Sequence, residues 1–354
     1  MNDSPPAEAP TDTEPARPAA DDTEPRAGFS ASLGVRAAAG GALMGLANLV
    51  PGISGGTMLV AVGIYRRFID AIADTTRLKI KPDSIALLGI VVLAAVAAIG
   101  GLAGVIADAL VGFRWGMYSL FIGLTLGGVP LLWAMLRKGD NRLGPAAIGG
   151  FLAGLAVMIG LVLAQSAGSD GAADASGPVM LALGGAAAAS AMILPGVSGA
   201  YLLLLLGQYD AVINAIKSFV SAAADADLDG MLAELAVVVP IGIGVVAGVV
   251  GVSNVLRFVI HRYEKATLGV LLGLLVAAPL GLYPFREGVE PQVGGVIRGQ
   301  TVTEDTIEEI DPKDWRQELF RPSAMQIAGS VGLIVGGFGV TLGIARLGRE
   351  KPPR

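Results

Sequence analysis

The sequence contains no cysteine, only one histidine, and few charged or aromatic residues. Without cysteine the chain can form no disulfide, thiol nucleophile or cysteine metal site. The only histidine is His261, whereas histidine-dependent lipid phosphatases need more than one catalytic histidine. The sequence also has no membrane-embedded cluster of acidic residues that would suit two-metal hydrolysis. We therefore expect no enzyme activity, no catalytic residue, no metal site and no cofactor. The net charge of −5 does not indicate a nucleic-acid partner either.

Long apolar segments are abundant in this chain. Hydrophobic residues make up 53% of it, and its 51 glycines exceed the usage of an ordinary soluble domain. Ten apolar segments lie between residues 31 and 345, and most approach the ~20 residues that a membrane-spanning helix needs. Alternating ten-residue strands are absent, so a helical bundle is favoured over a β-barrel. The fold class that we predict is an all-α integral membrane protein.

One segment of the chain occurs twice. Residues 48–72 are NLVPGISGGTMLVAVGIYRRFIDAI, and residues 192–216 are MILPGVSGAYLLLLLGQYDAVINAI, at a constant offset of 144 residues. Ten of the 25 aligned positions are identical, including a Pro-Gly-x-Ser-Gly motif, which indicates an internal duplication. A helix-breaking motif inside an apolar segment of each half is typical of transporters whose substrate site lies at the broken helices.

The positions of basic residues predict which connections face the cytoplasm. They cluster at residues 66–81, 137–142, 257–265 and 346–354, whereas the connections at residues 170–174 and 225–229 carry aspartates. Every connection falls on the side that its charge predicts if each motif is the tip of a helical hairpin that enters the membrane and returns. Each half then has one hairpin and three crossings, so the two repeats are inverted, with both termini in the cytoplasm.

Two forms of the hairpin stay open at this stage. A re-entrant hairpin and two full crossings both return the chain to the same side, so charge does not separate them. As one helix, residues 55–72 would measure about 27 Å, which nearly spans the bilayer. We favour re-entrant hairpins. The Gly100/Gly104 and Gly244/Gly248 pairs, also related by the offset of 144, predict close helix contacts in both repeats.

The chain divides into three predicted parts. Residues 1–28 form an acidic cytoplasmic tail whose composition predicts disorder. Residues 29–166 form the first membrane repeat and residues 174–346 the second. A polar insertion at residues 284–322 is expected to be extracytoplasmic. Within it, we predict a short hairpin at residues 294–303 and an interfacial helix at residues 314–320.

The motif predicts an anion site at the hairpin tips. Proline ends the incoming helix, glycine permits the turn, and serine can cap the next helix, whose first N–H groups and positive dipole end then face the tip. Two such tips would together suit a phosphate. The alternative is a tight turn in an ordinary hairpin, with serine only as a cap. The tip residues are Pro51, Gly52, Pro195 and Gly196. The residues that we expect to bind the phosphate are Asn48, Ser54, Gly55, Gly56, Thr57, Arg67, Ser198, Gly199 and Tyr201.

Charged residues near the motif leave further alternatives open. Arg67 could contact a lipid phosphate or only set the topology. Asp70 and Asp210 are candidates for coupling to a proton or sodium gradient, as are Asp108 and Glu264, but each could equally be a solvated interfacial carboxylate.

The paired motif resembles that of a known family. Residues 48–57 followed by Gly63-Ile-Tyr65, together with residues 194–199 followed by Gly207-Gln-Tyr209, are similar to PopT-type polyprenyl-phosphate transporters, long catalogued as a membrane family of unknown function. The resemblance covers about residues 32–345. The family positions that carry over are Asn48, Pro51, Gly52, Ser54, Gly55, Gly56, Thr57, Arg67, Pro195, Gly196, Ser198, Gly199 and Tyr209. Ala200 and Tyr201 depart from the family pattern.

The resemblance implies recycling of undecaprenyl phosphate, a carrier lipid for cell-wall polymers, from the outer to the inner leaflet of the cytoplasmic membrane. The expected partners are this lipid and the bilayer, and the oligomeric state is not predicted. The alternative function is secondary transport of a small anion or ion through the same two-hairpin site.

Overall fold

The computed structural model describes residues 29–50, 52–137, 143–166, 177–294, 296–297, 300–303 and 315–347. Several sequence predictions fall outside these residues: the acidic tail at residues 1–28, the tip residue Pro51, and the connections at residues 138–142 and 170–174.

Both repeats contain the same order of helices within the described residues. The first repeat has α1 (Ala31–Asn48), α2 (Gly55–Ala61), α3 (Tyr65–Thr76), α4 (Pro82–Gly112), α5 (Arg114–Leu126), α6 (Val129–Leu136) and α7 (Pro145–Ser166). The second has α8 (Pro178–Ile193), α9 (Gly199–Leu205), α10 (Tyr209–Ala224), α11 (Leu228–Arg262), α12 (Glu264–Ala277), a 3-10 helix (Ala278–Leu282) and α13 (Ala324–Leu347).

Six described segments are long and apolar enough to cross a membrane, three in each repeat. They are Pro82–Gly112, Arg114–Leu136, Pro145–Ala164, Leu228–Arg262, Glu264–Gly281 and Ala324–Arg346. Large apolar side chains on their outer surfaces are exposed, such as Leu93 on α4 and Ile243 on α11. A water-soluble protein would not leave such surfaces uncovered, whereas lipid covers them at no cost. A mostly helical, multi-pass membrane protein is therefore confirmed.

The helix that follows each motif is short, which bears on the helix length that the sequence left open. Residues 55–72 form two helices, because the chain turns at Gly63, whose φ is +76°. The second repeat breaks in the same way at Gly207, with a φ of +66°. Such left-handed backbone suits glycine and ends a helix. With seven residues each, α2 and α9 measure about 10 Å, a third of the apolar thickness of a bilayer.

Glycines bring α1 against α4 and α8 against α11. A Cβ atom on Gly244 would lie 1.9 Å from the carbonyl oxygen of Ala182 and one on Gly248 would lie 2.4 Å from that of Ala186, so the predicted contact in the second repeat is confirmed. The same prediction is wrong for Gly100 and Gly104, which face open space.

In the first repeat the crossing lies nearer the start of α4. There, Cβ atoms on Gly41 and Gly45 of α1 would lie 2.3 Å and 2.5 Å from the carbonyl oxygens of Val91 and Ala95.

Each repeat packs one of its helices against the other repeat. Helix α5 packs on α13 of the second repeat, where a Cβ atom on Gly123 would lie 2.1 Å from the carbonyl oxygen of Ile334. Its counterpart α12 packs on α7 of the first repeat, where a Cβ atom on Gly273 would lie 2.2 Å from the carbonyl oxygen of Phe151. Each repeat therefore completes the packing of the other.

The insertion contains strands. Strands β2 (Val296–Ile297) and β3 (Gln300–Thr301) pair antiparallel, which confirms the predicted short hairpin. The helix predicted at residues 314–320 is wrong, because β4 (Arg316–Leu319) pairs antiparallel with β1 (Arg286–Val289). An aromatic cluster holds this pair, with Phe320 and Tyr283 both edge-on to Phe285.

Candidate functional site

The two motifs adopt the same backbone conformation. Gly52 and Gly196 both have a φ of +88°, a left-handed value that favours glycine. Ser54 and Ser198 follow in extended conformation and occupy the N-cap positions of α2 and α9. The duplication in sequence is therefore a duplication of the turn itself.

The two motifs contact each other directly. The Ser54 hydroxyl donates a 2.8 Å hydrogen bond to the carbonyl oxygen of Leu194. In the opposite direction, the Gly196 N–H donates a 2.8 Å bond to the Thr57 hydroxyl oxygen. Tyr65, at the start of α3, donates a 3.1 Å bond to the carbonyl oxygen of Ile193. Side chains of the first repeat thus satisfy backbone groups that become unpaired where α8 ends.

The predicted serine caps are wrong. Neither Ser54 nor Ser198 makes a side-chain capping bond, although both occupy the N-cap position. The Ser54 side chain is oriented toward the other repeat instead, where its hydroxyl donates to the carbonyl oxygen of Leu194.

Glycine is required where the tips approach most closely. A Cβ atom on Gly56 would lie 2.6 Å from the carbonyl oxygen of Ile193, which is closer than Cβ atoms come to backbone in proteins. The position that matches Gly56 in the second repeat is Ala200, which is partly exposed. The side-chain amide of Asn48 lies beside Gly55, 3.1 Å from where its Cβ would be, and Asn48 itself is exposed.

The structure brings part of the predicted site together. Ser54, Gly56 and Thr57 lie against residues 192–196 of the second repeat. Gly55 and Gly199 each pack on their own repeat: Gly55 lies beside Met44 and Asn48, and a Cβ on Gly199 would lie 2.6 Å from the carbonyl oxygen of Ala188.

Two predicted donors lie elsewhere. Tyr201 donates its hydroxyl proton to the carbonyl oxygen of Leu161 in α7, at 2.9 Å. Arg67 lies on α3, beyond the break at Gly63, with its side chain exposed.

A buried carboxylate that the sequence analysis missed lies at one end of the molecule. Asp74 of α3 is 2% exposed, and it accepts hydrogen bonds from Lys81 at 2.7 Å and from Arg257 of α11. Burial alone would raise the pKa of Asp74, but the hydrogen bonds from Lys81 and Arg257, and then their charges, lower it below the usual value. Asp74 follows Tyr65 by nine residues and so lies on the opposite side of α3 from the apolar stripe, which is why the sequence pattern carried no signal of its burial.

Further polar contacts join the repeats at the same end. Asp70, a candidate for coupling, lies 3.5 Å from Arg257. Arg66 pairs with Glu264 at 2.8 Å. Basic clusters that are far apart in sequence therefore meet on one side of the bundle. The side chain of Asp210 lies outside the described residues, and coupling to an ion gradient stays a prediction.

Comparison with known proteins assigns the family. A family model described as undecaprenyl phosphate translocase-like matches residues 44–294, which include both motifs and their contact. The chain belongs to the undecaprenyl phosphate translocase-like family. The family resemblance in the paired motif is thereby confirmed.

Two relatives of this translocase-like protein have names that describe their activity. It is 31% identical to the polyprenyl-phosphate transporter of Vibrio cholerae over 266 residues, which cover 70% of this chain and 77% of that protein. It is 28% identical to the polyprenyl-phosphate transporter of Staphylococcus aureus over 248 residues, which cover 69% of this chain and 84% of that protein. No solved structure matches the chain.

Proposed function

We propose that this protein transports polyprenyl phosphate, and specifically moves undecaprenyl phosphate from the outer to the inner leaflet of the cytoplasmic membrane, where the lipid returns to cell-envelope synthesis. Membership of the translocase-like family and the names of two relatives support the substrate class. The observation that carries the proposal is the contact between two identical turns, one from each repeat.

In this proposal the phosphate binds where the two tips meet. The Ser54 hydroxyl and the Gly196 N–H now bond to groups of the opposite tip. If the tips separate, both donors are released, and the Thr57 hydroxyl oxygen no longer accepts from Gly196. Uncharged donors can hold a phosphate without an unpaired positive charge inside the membrane, which would be costly. Exposed Asn48 adds an amide at the edge of this site, and Ser198 adds a hydroxyl from the second tip.

The tip hydroxyls give the first prediction. We expect the Ser54→Ala/Ser198→Ala variant to transport polyprenyl phosphate at least about tenfold more slowly, because a hydrogen bond to a charged group contributes about 1.5–3 kcal/mol. The measurement is translocation of labelled polyprenyl phosphate placed in one leaflet of proteoliposomes.

Ser190→Ala is the matched control, since this hydroxyl bonds only within its own helix, to the carbonyl oxygen of Ala186. Equal transport by the control and the double variant would contradict the site. Uptake of a soluble anion, with no movement of labelled lipid, would favour a small-anion transporter instead.

We further propose that the two hairpins are re-entrant and inverted. The seven-residue helices α2 and α9 are too short to complete a crossing. Helix α5 of the first repeat packs on the second repeat, and α12 of the second repeat packs on the first. Two repeats that are related by a two-fold axis produce this reciprocal packing. The basic connection after α3 and the acidic connection after α10 then lie on opposite sides.

The second prediction tests this inversion with single cysteines at exposed positions of the two matched connections. We expect a membrane-impermeant thiol reagent added to intact cells to label Asp225→Cys and to spare Lys79→Cys, because inverted repeats place matched loops on opposite faces. The chain has no native cysteine to react. Lys79→Cys should react once the membrane is permeabilised. Labelling of both positions from the same side would contradict inversion.

A further inference from the structure

A cationic cavity lies away from the hairpin tips, between the end of α3 and the end of α11. It has a volume of about 290 Å³, opens to the surface, and is lined by Arg77, Arg257, Phe258, His261 and Arg262. Four of its lining residues belong to the last turns of the candidate span Leu228–Arg262. The fifth, Arg77, lies five residues before the candidate span Pro82–Gly112 begins. Its position is thus the boundary between the apolar part of the membrane and water.

The charges in this cavity are only partly compensated. Arg257 is neutralised by Asp74 and Asp70. Arg77 donates from Nε to the amide oxygen of Asn254, which leaves its two terminal nitrogens for another acceptor. Neither Arg77 nor Arg262 has a carboxylate within ion-pair distance among the described residues.

Arginine and histidine here offer donors of the kind that bind phosphate. The two guanidinium groups of Arg77 and Arg262 can each donate in a fork to phosphate oxygens. The Nδ1 atom of His261 lies 2.8 Å from the carbonyl oxygen of Arg257, which leaves Nε2 for another group.

Apolar side chains around the cavity indicate a lipid rather than a soluble anion. Phe258 lines the cavity and is 60% exposed, and Leu78 and Ile80, which follow Arg77 in the connection to α4, are 85% and 70% exposed. A soluble phosphate would gain nothing from these surfaces, whereas the hydrocarbon chain of a lipid would cover them.

We propose that this cavity binds the phosphate head group of a membrane lipid, separately from the site at the tips. Arg77 and Arg262 hold the phosphate, and Phe258 contacts the start of the hydrocarbon chain. The phosphate could come from an isoprenoid phosphate or from a glycerophospholipid, since both present the same group at this depth. Lipid binding at this cavity does not require that the proposed transport function is correct.

A fluorescent reporter beside the cavity tests this site. Leu78→Cys is labelled with an environment-sensitive dye in the otherwise cysteine-free, full-length protein. The labelled protein in detergent is titrated with farnesyl phosphate, with dioctanoyl phosphatidic acid and with inorganic phosphate. We expect a saturable change with one or both lipids, and the lipid that binds more tightly identifies the source of the phosphate.

Variants then assign the response to the two arginines. We expect R77Q/R262Q to weaken lipid binding at least about tenfold and R77K/R262K to retain most of it, because charge-assisted bonds to phosphate are lost only in the first. R346Q, which removes an exposed arginine at the end of α13, should bind as the parent does. Unchanged binding by R77Q/R262Q, or an equal loss in R346Q, would overturn the proposal.

Three further outcomes also decide the matter. An equal response to inorganic phosphate and to the lipids would overturn the assignment to a lipid. Loss of the reporter signal in R77Q/R262Q, with normal lipid translocation in proteoliposomes, would support this cavity as a separate site. Failure of the parent protein to transport polyprenyl phosphate, with its own reporter response to lipid intact, would count against the proposed function and leave this site standing.

Discussion

Replacing Gly56 with alanine is expected to abolish most lipid transport and to destabilise the protein. The added Cβ would lie 2.6 Å from the carbonyl oxygen of Ile193 and 3.0 Å from that of Met192. Both obstacles are backbone atoms, so no side chain can move aside to make room. The tips must separate, which strains the bonds that Ser54 and Thr57 make to the second repeat. Overpacking of this kind costs about 1–3 kcal/mol of unfolding free energy.

The measurements are translocation of labelled polyprenyl phosphate and thermal unfolding in detergent. Gly100→Ala is the matched control, because its Cβ would face open space on α4, where alanine favours the helix. Ala200→Gly tests the equivalent position of the second repeat, which already carries a Cβ atom, so we expect this variant to lose only helix propensity. Full transport by Gly56→Ala would show that the observed tip contact is not part of the working protein.

Features that depend on local chemistry could be predicted from the sequence. A left-handed turn at Gly52 and Gly196 follows from the motif, because proline ends a helix and only glycine adopts that turn freely. The apolar segments predict the six candidate spans, since length and hydropathy are properties of the segment alone.

Features that depend on distant partners could not be predicted. The acceptor for the Ser54 hydroxyl lies 140 residues away in the chain, so the local pattern predicts a cap where none forms. Whether a small-residue pair makes a contact depends on where two helices cross, and α1 crosses α4 before Gly100 is reached. Gly63 is ambiguous for a different reason, because membrane helices tolerate glycine and its positive φ has no signal in a single sequence.

Replacing Asp74 with asparagine is expected to cause a large loss of stability. Its carboxylate is buried and holds Lys81 of the α3–α4 connection and Arg257 of the other repeat. Removing one partner of a buried ion pair costs about 3–5 kcal/mol, and the partial exposure of Lys81 places this variant near the lower end. Thermal unfolding in detergent measures the loss. Asp74→Asn/Arg257→Gln should recover part of it, because the Arg257 charge that Asp74 no longer balances is then removed, and only part of it because Asp70 also loses Arg257 as a partner.

Glu264→Gln is the control for Asp74→Asn. It also breaks a pair between the repeats, with Arg66, but both side chains there are more than a third exposed. Exposed pairs contribute about 0–1 kcal/mol, so we expect little change. An equal loss in both variants would show that burial of Asp74 is not what matters.

The pH dependence of the stability lost in Asp74→Asn shows how much of that loss comes from the charge of Asp74. The pKa of Asp74 is lowered in the folded protein, so its charge stabilises the fold at every pH above the pKa of the unfolded chain, about 3.9. This contribution disappears as the pH falls through the lower, folded pKa. The difference in stability between the parent and Asp74→Asn should therefore stay constant from pH 7 to pH 5 and shrink below about pH 4. A difference that grows as the pH falls would contradict an ionised, paired Asp74.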